Sequence, residues 1–230
     1  MSGEDSGRNV RWRRRKEARP AEILDAALAC FTERGFAATR LDEVARRAGV
    51  TKGTLYLYFD NKKNIFKAVV RQTIIPNIEK IESLVIDTDV PAPLLLERLI
   101  QSWVETILSP ASAIPKLVMA EAGNFPDLAS FYLDEVVHRS MALVRRVLRI
   151  GIERGEFCPA DIESVAVCVI APLLLTMLWR HSLSRHEPGI QDPETLSAVH
   201  LRLLLDGLAV HPSGAGTRAP APREQERTAS

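Results

Sequence analysis

Apolar residues along this chain recur mostly three and four positions apart, and that spacing predicts helices from one end to the other. Ile23, Leu24, Ala27, Leu28 and Phe31 fall on one face of a first helix. It opens near Pro20, a residue suited to a first turn, and stops at Gly35. A second, short helix opens at Thr39, whose hydroxyl is placed to cap it with Asp42 as the capping-box partner, and ends at Gly49. A third opens at Thr51, with Val50 and Leu55 as a hydrophobic staple, and runs to Tyr58 or Phe59 before Asp60-Asn61 breaks it. The fourth follows Asn61 through Ile65, Phe66, Val69, Val70 and Ile74, and Pro76 predicts a kink rather than a stop. Segments 93–108, 114–123, 126–154, 161–183 and 193–209 also read as helices, punctuated by prolines. No stretch alternates convincingly over five residues, so the expected fold class is all-α with no sheet.

The two ends lack this pattern. Residues 1–19 are polar and basic, and 211–230 are rich in Pro, Ala, Gly, Ser and Thr, so both are expected to be disordered. Between them the chain divides into a small N-terminal domain over 20–75 and a larger helical one over 76–210. The longest apolar run, Val165–Trp179, holds 15 residues and is interrupted by Pro172 and Thr176. A membrane span needs ~20 residues, so a buried helix is the better reading.

Charge changes the picture only when it is divided. The whole chain carries a net +1. Residues 1–71 hold 16 basic and 9 acidic side chains, a net of +7, against 14 and 20, a net of −6, over residues 72–230. A basic head on an acidic body suggests a polyanion-binding module joined to a part with another task. The three cysteines form no CxxC pair and the N-terminus has no apolar stretch, so a cytoplasmic protein is expected.

The stretch that carries chemistry is TRLDEVARRAGVTKGTLYLYFDNKK, Thr39 to Lys63. Two short helices joined through Ala45–Val50 have the length and turn of a helix-turn-helix, with Gly49 where the chain needs a positive φ. With Val50, Leu55 and Phe59 turned inward, Lys52, Gly53, Thr54, Tyr56 and Tyr58 stay at or near the surface. Small residues, hydroxyls and aromatics near a helix N-terminus suit a DNA major groove. Lys62 and Lys63 can hold a flanking phosphate at the start of the next helix. Arg46 and Arg47 fit a solvated face as well as a DNA contact. Arg11–Lys16 fits a minor-groove arm or a solvated tail, and Pro76 fits a hinge or a static kink.

Together these parts resemble the DNA-binding domain of TetR/AcrR-family transcriptional regulators, over roughly residues 20–70. Phe31, Gly35, Thr39, Asp42–Ala45, Ala48-Gly49-Val50, Gly53–Tyr56, Tyr58-Phe59 and Lys62 fall together at the family's spacing. The resemblance implies an N-terminal three-helix DNA-binding domain and a larger helical body that dimerises and binds a small molecule. Each subunit would place the Thr51–Phe59 helix in one half-site of a pseudo-palindromic double-stranded operator. Lys52, Gly53, Thr54 and Tyr56 would face the groove. Thr39, Arg40, Tyr58 and Lys62 would position phosphates, and Thr51 joins the DNA-contacting set.

Pocket residues do not carry over from the family. Trp103, Met119, Phe125, Phe131, Tyr132, His138 and Met141, on the helices over 93–154, could line an effector pocket, and each also fits plain core. In the family the last two helices pair across a two-fold axis. This gives a candidate dimer face of Val165, Val169, Leu173, Met177, Leu196, Val199, His200, Leu203, Leu204 and Gly207, for which internal core is the alternative. The spacing of His181, His186 and Glu187 does not suit a metal, and no nucleophile motif or phosphate loop occurs, so no enzyme, cofactor, metal or membrane partner is expected. The resulting reading is a homodimeric regulator, a repressor released by a small, largely apolar effector. The alternative keeps the DNA-binding head on an activator or architectural protein whose body binds another protein.

Overall fold

Helix α1 runs Asp5–Arg34 in the computed structural model, which describes residues 5–86, 89–184, 186 and 192–210. It is longer than the apolar pattern predicts, and Pro20 lies inside it rather than at its first turn. The segment before Pro20 is rich in Arg, Lys, Glu and Ala, all good helix formers, so helical backbone continues through the proline at the loss of one hydrogen bond. The expected disorder of residues 1–19 is thereby corrected from Asp5 onward. The groove-or-solvent choice for the Arg11–Lys16 side chains, and the 211–230 tail, lie outside the described residues.

Gly35, with φ +82, turns the chain out of α1. Helix α2 (Leu41–Arg47) follows and ends on Gly49 at φ +65, where the Val50 N–H returns to Ala45 O at 2.9 Å. A left-handed residue here closes the tight turn of a helix-turn-helix, and glycine adopts it without Cβ strain. Helix α3 (Lys52–Tyr56) is shorter than predicted, although Tyr58 and Phe59 still donate to Leu55 O in one closing turn. Thr51 and Asn61 cap α3 and α4 (Lys62–Thr73) by accepting the N–H groups of Thr54 and Asn64. The head closes around Phe31, Phe36 and Phe66, whose ring centroids lie 5.3–5.9 Å apart, with Ile23, Leu55, Ile65 and Val69 fully buried beside them.

Helix α4 stops one residue short of α5 (Ile75–Ile86), and Ile74 is the break. Pro76 has no N–H to give to Gln72, so the ladder fails there and the predicted kink appears as a two-helix bend. The body adds α6 (Ala92–Leu108), a 3₁₀ turn (Pro110–Ala113), α7 (Ile114–Glu121) and α8 (Pro126–Tyr132). A π-helical turn (Leu133–Val137) then leads directly into α9 (His138–Glu153). Helices α10 (Ile162–Ser182) and α11 (Pro193–Leu208) complete it. Among the described residues 79% are helical and none lies in a strand, as the periodicity predicts. Helices α5, α6 and α9 pack on one another, α10 lies against α6, α7 and α9, and α11 rests on α6.

Candidate DNA-contacting head and ligand cavity

Burial of Leu55 fixes which side of α3 faces out. Thr51, Lys52, Gly53, Tyr56 and Leu57 are exposed on it and Thr54 is half-buried. The capping oxygen of Thr51 accepts the Thr54 N–H at 3.1 Å, and the two hydroxyls are 2.8 Å apart. Lys52 reaches back to α2 and pairs with Asp42 at 2.8 Å. That hydrogen bond holds the Asp42 carboxyl below its usual range. Both groups are solvated, so the pair is weak and a phosphate can compete for the ammonium. Arg40 is exposed just before α2, whereas Tyr58 is half-buried against the core. Leu57, left out of the expected set, is 83% exposed.

Two expected contacts are corrected. Thr39 is 3% exposed. Its hydroxyl donates to Gly35 O at 2.7 Å with Cys30 O at 3.1 Å, so it ties the end of α1 instead of capping α2 or meeting a phosphate. The residue preceding α2 is Arg40, with no side-chain cap, and Asp42 serves Lys52. Lys62 points inward as well. Its ammonium donates to Phe36 O, Ala37 O and Thr39 O at 2.7, 2.8 and 3.0 Å and sits 4.8 Å from the Phe36 ring centroid. Burial lowers its pKa, opposed by Glu121. Three carbonyls consume its three donors, leaving none for DNA.

A cavity of about 330 Å³ opens inside the body, within the range of small-molecule sites. Ile78 and Ile81 of α5, Leu99 and Trp103 of α6, and Val136 and Met141 beyond α8 supply apolar wall. Ile74, the break between α4 and α5, also lines it. Met119 and Leu133 line the cavity while exposed to solvent, so they mark its mouth.

One wall of this cavity is shared with the head. Val118, Ala122 and Ala129 line the cavity on one side and, on the other, a small cleft against Phe36 and Phe66. Phe125 stands edge-on to Phe36 with ring centroids 4.9 Å apart. Glu121 accepts the Ala37 N–H at 2.9 Å, Lys63 pairs with Asp127 at 2.9 Å, and Arg71 pairs with Glu135 at 3.0 Å. Lys67 and Arg71 also lie 5.2 and 5.1 Å from the Phe131 ring centroid. The α7–α8 segment therefore touches the cavity and the base of the helix-turn-helix at once.

The profile for bacterial regulatory proteins of the tetR family matches residues 23–69, and that for the tetracyclin repressor-like C-terminal domain matches residues 96–188. The chain belongs to the TetR family. It is 28% identical over 195 residues to the HTH-type transcriptional repressor KstR2 of Rhodococcus jostii, covering 84% of this chain and 93% of that one. The fold is that of the ketosteroid regulator KstR2 of Mycobacterium tuberculosis, with a TM-score of 0.67 at 23% identity over 84% and 96% of the two chains. It is also that of the regulator FadR from Bacillus subtilis, solved with stearoyl-CoA, with a TM-score of 0.60 at 22% identity over 82% and 98%. This chain is thus a DNA-binding helix-turn-helix transcriptional regulator and not an enzyme.

In this TetR-family regulator, the candidates Trp103, Met119, Tyr132 and Met141 line the cavity, and the other three do not. Phe125 and Phe131 serve the junction with the head, and His138 is exposed and pairs with Asp134 at 3.3 Å. The α5 contribution was missed because that stretch reads from sequence as the fourth helix continuing past Pro76, and the pocket candidates were drawn from 93–154. The expected dimer face is corrected in part. Val169, Leu173 and Met177 of α10 are buried in their own protomer, and His200 is buried with Nε2 3.1 Å from Val169 O. The exposed side of α10 is instead Val167, Cys168, Ala171 and Leu175, beside Val199, Leu203 and Gly207 of α11. Val165, Leu196 and Leu204 are half-buried.

Proposed function

We propose that this regulator is a cytoplasmic homodimeric repressor that reads a pseudo-palindromic operator with α3 and releases it when a small, largely apolar molecule enters the body cavity. The observation that carries the reading is the α7–α8 wall, which borders the cavity on one side and Phe36 and Phe66 of the head on the other. A ligand pressing on Val118, Ala122 or Ala129 acts on a segment that Glu121 and Asp127 tie to the head. A change there re-aims both recognition helices against half-sites ~34 Å apart and shifts the dimer toward a form that fits the operator poorly. Groove contact falls to Lys52, Gly53, Thr54 and Tyr56, and phosphate contact to Arg40, Thr51 and the edge of Tyr58. The cavity favours a small-molecule sensor over an activator or architectural body that binds a protein.

The test is a titration of the purified protein onto the DNA just upstream of its own reading frame, at two salt concentrations, against scrambled DNA of equal length. Sequence-selective binding by two subunits supports the reading. Equal, weak binding to both DNAs that vanishes with salt overturns it, because the head is then a generic polyanion binder.

A further inference from the structure

The polar groups in the cavity wall tell more than its size. Among the described residues no charged side chain lines it. Ser102 and Ser140 are 4% and 7% exposed, both line the cavity, and neither hydroxyl has a hydrogen-bond partner among the described residues. The Tyr132 phenol, also in the wall, has no partner among them either, and burial raises its pKa, keeping it a neutral donor. Asn77 is fixed by donating from Nδ2 to Thr106 Oγ1 at 3.0 Å, while Thr106 donates onward to Ser102 O at 3.2 Å. This chain of donors settles the amide orientation and leaves Oδ1 of Asn77, a residue of the cavity wall, without a partner among the described residues.

Hydroxyls that open onto a cavity and have no protein partner are satisfied only by what the cavity holds, water or a bound molecule. We infer that the effector is an uncharged, mostly hydrocarbon molecule bearing a hydroxyl or carbonyl group that Tyr132, Ser140, Ser102 and Asn77 hydrogen-bond. An anion enclosed among these side chains would lose its hydration with no cation to replace it. At the mouth, Leu133 is followed by the exposed carboxylate of Asp134, which disfavours an anion there. This inference rests on the cavity being the effector site.

The test uses four ten-carbon probes on the full chain at pH 8: decan-1-ol, decan-2-one, decanoate and decanoyl-CoA. Trp103 is in the cavity wall, so its emission reports binding, and Trp103→Phe removes the signal. The expected result is that the alcohol and the ketone bind at least about tenfold more tightly than decanoate, as a buried unpaired charge requires, and than decanoyl-CoA, whose charged head a cavity of about 330 Å³ does not hold. Tyr132→Phe combined with Ser140→Ala should weaken decan-1-ol about tenfold, the worth of two ordinary hydrogen bonds. Decanoate or decanoyl-CoA binding as tightly as the alcohol would overturn the inference and leave the cavity as an effector site. Unchanged affinity for decan-1-ol in the double variant would overturn the assigned anchors. If no probe alters either Trp103 emission or DNA binding, the effector reading fails and this inference fails with it. Should the double variant not fold, the ranking of the four probes on the natural chain still decides.

Discussion

Lys62 shows how a residue with a DNA-binding look is spent on structure. A lysine beside a helix N-terminus suggests a phosphate clamp, yet its partners are carbonyls of the α1–α2 connection, 23 to 26 positions earlier in the chain. Lys62→Ala is therefore expected to lower the stability of the head by about 1–3 kcal/mol, the cost of leaving such acceptors unpaired. The salt slope of DNA binding should be unchanged at temperatures where the variant is folded. Urea denaturation and a salt titration separate the two effects, and a slope reduced by about one unit would return Lys62 to the phosphates. Leu57 is the opposite case. A leucine 83% exposed at the end of the recognition helix, next to Tyr56, has no use in its own core. It suits the methyl group of thymine in the groove. Leu57→Ala should weaken operator binding several-fold, and replacing the contacted thymine by uracil should add nothing to that loss. If the two losses simply added, Leu57 would be reading something else.

At the scale of elements, what could be read from sequence was what depends on near neighbours. The helix-turn-helix was legible because Gly49, Leu55 and the Thr51 cap act within a few residues of one another, and the body helices because their prolines and caps bracket them. The facing of α10 was not. Apolar residues surround this helix, so periodicity cannot choose a side, and only packing against α9, α7 and α6 turns Val169, Leu173 and Met177 inward. The role of Thr39 and the reach of Lys62 were hidden for the same reason, as both depend on contacts across the α1–α2 turn. Helix α9 carries another long-range constraint. A Cβ on Gly151 would lie 2.1 Å from Cδ2 of Phe157, whose ring is buried where the chain folds back over the end of the helix. Helix propensity alone favours Gly151→Ala by up to about 1 kcal/mol. The ring cannot swing aside like the tip of a flexible chain, so overpacking should win, with a net loss of about 1–3 kcal/mol in urea denaturation. Phe157→Leu in the same chain should recover part of it. A more stable Gly151→Ala variant would mean that the ring has room to move.

For the whole molecule the question is what covers α10. It is long and apolar enough to cross a membrane by length and composition, and only 28% of its most apolar stretch is buried within the protomer. One face packs on the body, while Val167, Ala171 and Leu175 lie open beside Val199 and Leu203 of α11. A continuous apolar face over two adjacent helices suits a second copy related by a two-fold axis, where each patch meets its own equivalent. Such pairing also fixes the distance between the two recognition helices, so dimerisation and operator reading are one property. Val167→Glu combined with Leu203→Glu would place four carboxylates in that seam. The variant should sediment as a monomer with its far-UV circular dichroism unchanged, because both positions are solvent-exposed in the protomer. Its operator affinity should fall by at least about 10²-fold as the second half-site loses its linked partner. The salt slope per bound protein should drop to about half, since each binding event then neutralises one head's share of phosphates. A variant that remained dimeric with full operator affinity would put the two-fold axis elsewhere and leave the open face of α10 for a different partner.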